Sequence, residues 1–200
     1  RALELEQPPK PVDIIRYQLT QPLDFEPGAR YAYCNFGYCL LGQVIERISG
    51  QDYNSFVEDS VLRPAEMSQT FPGKTRPQFR RPGEVTYYTQ TLEEFPAYWM
   101  APQRDRRSEL LEFVQAPYGQ WDLELMDSHG GWVSSAPDLL RFVRQLEHPE
   151  NPLLRRATLE QMVASPDPDH PARFTMWYGF GWNVRPWIPG ELPTFWHNGS

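Results

Sequence analysis

The chain has 200 residues, enough for one large domain or two small ones, and a compact chain of that length buries about 70% of its unfolded surface without needing disulfides or metal. Its net charge of −7, from 19 basic and 26 acidic residues, argues against nonspecific binding to nucleic acid or to an anionic membrane. No apolar run approaches the ~20 residues of a membrane span, and nothing reads as a signal peptide.

Seven Trp, ten Tyr and eleven Phe carry much of the apolar load, which suits a core with aromatic-lined crevices. The 21 prolines are roughly twice the usual ~5%, so long, stiff loops are expected. Arg1 is not an initiator residue, and the sequence stops at Ser200 directly after Trp196-His197-Asn198-Gly199. The expectation is a domain incomplete at both ends. Cys34 and Cys39 fit neither a redox Cys-x-x-Cys nor a zinc knuckle, and two reduced thiols are favoured over a bridge.

In chain order, residues 1–11 read as a Pro-rich arm, and Val12–Thr20 as a short helix with Ile14, Ile15 and Leu19 on one face. Gln21–Arg30 is a loop with a turn at Pro27-Gly28. From Phe36 to Ser49, Tyr38, Leu41, Val44, Ile45 and Ile48 follow the 3.6 period, and Gly50 supplies the stop. Tyr53–Leu62 is a second helix with Phe56, Val57 and Val61 inward, ended by Pro64. Val85–Thr89 reads as a strand, while 90–120 has no clear period. Gly130–Ser135 is a short strand or turn, after which Ser135 or Pro137-Asp138 opens a helix to Leu146. Arg155–Val163 is another helix, after a turn at Pro152. Phe174–Arg185 is aromatic and β-like, with Thr194–His197 as its hairpin partner across Pro189-Gly190. This order predicts an α+β fold: a mostly helical region over 1–127 and a return to the sheet over 128–200.

Two short constellations can carry chemistry. Tyr33 and Asn35 lie two apart where a loop meets a helix, so both can face one crevice. A Tyr oxygen serves as a proton relay when a nearby cation lowers its pKa, and the Asn amide offers a donor and an acceptor. The second is His197-Asn198-Gly199-Ser200, after an aromatic strand. Gly199 lets a substrate lie against the backbone, the following N–H can point at an oxyanion, and His197 can donate to a carboxylate or to the relay Tyr.

The surrounding sequence resembles the serine β-lactamase-like hydrolases, which include class C β-lactamases, D,D-peptidases, penicillin-binding proteins and esterases. Pro22 to Gly42 matches the family's Pro-Gly turn, Tyr-x-Asn and Gly-Tyr-x-Leu-Leu-Gly helix, and Val44 to Gly50 continues it. Gly130 to Phe142, Tyr178 to Trp182 and His197-x-Gly199 supply the later blocks. The resemblance implies a β-lactamase/transpeptidase-like fold and an acyl-transfer site built from Ser-x-x-Lys, Tyr-x-Asn and Lys/His-x-Gly. By position it makes Tyr33 the relay, Asn35 the substrate and lysine contact, and His197 the third-motif side chain. Asn198 and Gly199 would line the substrate, and Ser200 would give one oxyanion-hole N–H. No cofactor and no metal are implied, and the substrate is a small ester, amide or peptide. A periplasmic or extracellular location is favoured by the same resemblance.

The first motif is absent from these residues. The lysines are Lys10 and Lys74, and three positions before them stand Gln7 and Phe71. The serine and lysine are then expected from upstream sequence, the remaining part of the same domain, or from another chain; by itself this stretch is expected to be inactive. The alternative is a non-catalytic module that binds peptides or glycans through its aromatic crevice. Cys34 is read as facing the helix packing, with no catalytic role. Asn198 in place of a hydroxyl residue, and His197 in place of Lys, make penicillin-like anions less favoured substrates.

Rival enzymes fit less well. Ser128-His129-Gly130-Gly131 is half of a lipase oxyanion loop, but Gly-x-Ser-x-Gly is missing, so a tight turn with a structural His129 is expected. The four histidines are scattered, and Asp167, Asp169 and His170 read as a solvated loop rather than metal ligands. Arg104–Arg107 reads as a surface charge cluster.

Overall fold

The computed structural model describes residues 10–88, 94–96, 113–118, 121–147, 153–166, 176–185 and 194–199. Several sequence readings lie outside the described residues: the arm over 1–9, Thr89, Arg104–Arg107, the turns at Pro152 and Pro189-Gly190, the loop with Asp167, Asp169 and His170, Phe174, and Ser200. The chain divides into two compact units, Arg1–Asp59 with Gln69–Ser135, and Ser60–Ser68 with Ala136–Ser200.

The first unit opens with α1 (Pro11–Gln18), where Pro11 sets the first turn and the Asp13 carboxylate reaches back to Lys10 N at 3.2 Å. Ile15 is its buried residue, while Leu19 stays mostly exposed. The loop that follows turns at Gly28, whose φ of 80° favours glycine, with Ala29 N bonded to Glu26 O. Arg30 then lies 4.4 Å over the Phe25 ring, tying the loop to itself.

Helix α2 (Asn35–Ser49) ends as expected at Gly50, in the left-handed conformation with its N–H on Glu46 O. Asp52 caps α3 (Tyr53–Val57) by accepting from Asn54 N and Ser55 N, and the helix runs on as a π-turn over Glu58–Leu62. Glu46 locks the two helices: it accepts from Tyr53 N at 3.0 Å and from Gln43 at 2.7 Å. The packed face of α2 carries small residues. Cys39 and Gly42 are buried, and Ser128 comes so close that a Cβ on Gly42 would lie 2.5 Å from the Ser128 Cβ. The large periodic residues Leu41, Val44 and Ile48 face outward.

Strand β1 (Phe71–Pro72) pairs antiparallel with β4 (Trp132–Val133), and β2 (Glu94–Pro96) with β3 (Phe113–Gln115); 3₁₀ turns cover Pro77–Phe79, Ala116–Tyr118 and Leu123–Leu125. Thr75, almost fully buried, joins its surroundings by bonding the Glu124 carboxylate and accepting from Leu123 N at 2.8 Å. Residues 85–88 are not a strand, contrary to their β-branched and aromatic composition. Their backbone groups go to side chains instead: Tyr87 N donates to Tyr118 Oη at 2.8 Å, and Val85 O accepts from Arg80 at 2.9 Å.

In the second unit, α4 (Ala136–Glu147) and α5 (Arg156–Val163) precede a three-stranded antiparallel sheet in the order β5 (Trp177–Tyr178), β6 (Asn183–Arg185), β7 (Thr194–Trp196). Phe142 of α4 stacks on Trp182, centroids 6.5 Å apart, and Val184 is buried. The sheet is pinned to the end of α5 by Phe180 N on Met162 O at 2.8 Å and by the Trp177 indole on Val163 O at 3.1 Å. Among the described residues no helix is long and apolar enough to cross a membrane.

Candidate active site

The head of α2 shows how a loop delivers two side chains expected from the sequence to act together. Cys34 is the N-cap: its backbone is extended, and its Sγ accepts from Gly37 N at 3.3 Å. Its side chain is thus exposed and occupied in capping, not turned into the helix packing as its sequence suggested. Capping places Asn35 at the first helical position and leaves Tyr33 one residue outside. Tyr33 Oη donates to Asn35 Oδ1 at 2.7 Å. Tyr33 is 68% exposed, so the phenol is open to a ligand. With Oδ1 taken, Asn35 keeps its Nδ2 donors, which bond nothing among the described residues.

In the second unit, His197 follows β7 directly, and its Nε2 lies 3.0 Å from Tyr178 Oη, with the rings edge-on at 67°. Tyr178 belongs to β5 and β6 lies between, so two inter-strand steps of ~4.8 Å separate the backbones and only long side chains reach across. Either atom can donate; if the phenol does, Nδ1 carries the imidazole proton. Asn198 and Gly199 are exposed, and the space around Gly199 is open to 4 Å. Ser200 lies outside the described residues. The geometry therefore brings Tyr33 to Asn35, and His197 to Tyr178. Tyr178 was not singled out from sequence, although it opens the Tyr178-Gly179-Phe180-Gly181-Trp182 block.

The Asp127–Gly131 segment forms the tight turn expected of it, closed by Gly131 N on Met126 O at 2.7 Å, with Asp127 O accepting the Trp132 indole at 2.6 Å. His129 is half-buried there, and its Nδ1 has no hydrogen-bond partner among the described residues. Burial pushes its pKa below the usual 6.5, opposed by the Asp127 carboxylate. Burial likewise raises the Cys39 thiol and the Tyr53 phenol, with Asp127 adding to both, so Cys39 stays a neutral packing group. Among the described residues no cluster of three or more His, Cys, Asp or Glu could hold a metal.

A pH dependence follows from His129. Its pKa is depressed in the folded state, so below 6.5 the unfolded chain binds the extra proton first and stability falls as pH falls. The Asp122 carboxyl, raised mainly by its own burial, works with the opposite sign around and above 3.8. His129→Gln is therefore expected to flatten the decline in Tm between neutral pH and about pH 5. An unchanged slope would show that the imidazole is not the titrating group.

Helices combined with small antiparallel sheets match structures of the β-lactamase/transpeptidase fold class over most of the chain. Comparison with known proteins then fixes its family: the Beta-lactamase family model matches residues 2–200, and the chain belongs to that family. Penicillin-binding protein 4* of Bacillus subtilis (strain 168) is 26% identical over 183 residues, covering 86% of this chain and 36% of that protein. Among solved structures, a D-stereospecific amidohydrolase from Streptomyces sp. superposes with a TM-score of 0.62 at 21% identity, over 96% of this chain and 49% of the other. The D-amino acid amidase of Ochrobactrum anthropi SV3, complexed with D-phenylalanine, gives 0.58 at 18% identity, over 98% and 51%. The chain thus spans about half the length of these solved relatives.

Proposed function

We propose that the chain is part of a serine hydrolase that acts on an ester or amide through an acyl-enzyme, with the nucleophilic serine and its lysine supplied by sequence outside these 200 residues. The observation that carries this reading is the 2.7 Å bond from Tyr33 to Asn35 at the head of α2. Family membership supports it. The serine oxygen attacks the carbonyl carbon, and its proton passes through the lysine and Tyr33 to the departing alcohol or amine. Water then cleaves the acyl-enzyme and regenerates the serine. Asn35 contributes its free Nδ2 to substrate and lysine, and His197, steadied by Tyr178, faces the substrate's far end. Asn198 and Gly199 form the edge along which the substrate lies, and the Ser200 N–H donates to the oxyanion.

The relatives named as acting on D-amino acid substrates make D-amino acid amides the first amides to assay, beside esters and a penicillin. In the test, the whole protein and the 200-residue chain are each exposed to a serine-reactive phosphonate and to a penicillin, then weighed by mass spectrometry. One covalent adduct on the whole protein and none on the shorter chain is the expected result. No adduct, together with intact chromogenic esters and D-amino acid amides, would reject the hydrolase and leave a binding module.

A further inference from the structure

A half-open cavity of about 250 Å³ lies within the second unit, lined by Pro64, Ala65 and Glu66 from one segment and by Arg141, Arg144 and Gln145 from α4. At ~30 Å³ per liquid water, it has room for about eight waters, and so for a ligand of about as many non-hydrogen atoms. Its charges are unusually arranged. Arg141 bonds Asp138 Oδ1 at 2.6 Å, and Asp138 is fully buried, so one cation is both fixed and offset from behind. Arg144, one turn along the same helix, makes no ion pair or side-chain hydrogen bond among the described residues, and neither does the Glu66 carboxylate. Opposite charges thus line one small cavity without pairing with each other.

Glu66 adds a second, independent observation. Its φ of 57° makes it the non-glycine residue in the left-handed region among the described residues. That conformation is strained for a side chain of this kind, and such strain gathers at ligand clamps. The turn is held by Glu66 N on Arg63 O and Met67 N on Leu62 O, bonds that occupy backbone groups and not the carboxylate. A simple anion would be repelled by Glu66, and a simple cation by Arg144 and Arg141. A small zwitterion satisfies both.

We propose that this cavity binds a free α-amino acid, its ammonium on Glu66 and its carboxylate on Arg144, with Arg141 and Gln145 completing the carboxylate side. The inference does not depend on the hydrolase reading, since it uses no residue of the candidate active site.

The test is a calorimetric and NMR titration of the protein with leucine, with 4-methylpentanoate, which lacks the amine, and with 3-methylbutylamine, which lacks the carboxylate. Leucine should bind at least tenfold more tightly than either analogue, and none of the three is a substrate for acyl transfer. Arg144→Ala and Glu66→Gly should each weaken leucine binding by at least tenfold. Glu66→Gly should do so with an unchanged or higher Tm, because glycine relaxes the left-handed backbone. Equal binding of leucine and an analogue, survival of binding in both variants, or no saturable leucine signal would each overturn the proposal.

Discussion

Under the proposed hydrolase reading, replacing Tyr33 by phenylalanine is expected to slow acylation of the whole protein by about 10²–10⁴-fold, the range that a positioned proton-transfer group contributes. Only the phenolic oxygen is removed. Tyr33 is mostly exposed, and its one side-chain hydrogen bond among the described residues is the 2.7 Å contact with Asn35, so the stability loss should stay at about 1 kcal/mol. Rate and stability therefore separate cleanly. The bond also raises a rival account, in which the phenol merely orients the Asn35 amide. A double-mutant cycle with Asn35→Ala decides between them. If Tyr33 only steadies Asn35, the double variant equals Asn35→Ala alone, and Tyr33→Phe is the milder of the two. If Tyr33 moves the proton, Tyr33→Phe remains slow and adds to the loss in the double variant, while KM shifts mainly with Asn35. Acylation at the parental rate in Tyr33→Phe, measured as the burst of released leaving group, would reject the relay.

Much of this arrangement was legible in the sequence because local chemistry decided it. The helix expected over Phe36–Ser49 from apolar period and Gly50 is found over Asn35–Ser49, and the final hairpin follows from aromatic-rich, β-like sequence. The Tyr-x-Asn pair could be placed where a loop meets a helix because the apolar period starts directly after Asn35; that Cys34 between them caps the helix was visible only in the structure. What escaped depended on partners far along the chain. Residues 85–88 have strand-like composition, yet the phenol of Tyr118 and the guanidinium of Arg80 claim their backbone groups first. Tyr178 meets His197 over an intervening strand, which can be known only once the sheet order is known.

The buried face of α2 was only partly read for the same cause. Period alone marks Tyr38, Leu41, Val44, Ile45 and Ile48; Tyr38 and Ile45 are half-buried, but Leu41, Val44 and Ile48 are exposed, and close approach by Ser128 selects Cys39 and Gly42 as the buried residues. Small residues therefore mark packing here more faithfully than large ones.

The same rule gives the largest structural effect expected in the second unit, at Gly179. A Cβ there would fall inside the contact distance of the Met162 carbonyl oxygen, 3.2 Å from Met162 C and 3.5 Å from Val163 Cα. All three are backbone atoms at the end of α5, so no rotamer change can relieve the clash. The hairpin must move off the helix instead, which weakens the Phe180 N to Met162 O bond and the Trp177 indole bond to Val163 O. Overpacking of this kind costs about 1–3 kcal/mol, and each weakened bond adds about 1 kcal/mol. Gly179→Ala should accordingly lose about 3–5 kcal/mol, a large share of the usual ~5–15 kcal/mol, and lower Tm by roughly 10 °C. Because Tyr178 ends β5 immediately before Gly179, its contact with His197 should loosen as well, visible as changed NMR chemical shifts of the imidazole. Gly199→Ala is the matched control: nothing lies within 4 Å of a Cβ there, so its Tm should stay close to the parent's. A Gly179→Ala protein that melts with the parent would mean that the sheet does not approach α5 at this distance, and that His197 owes its position to something other than the pinned hairpin.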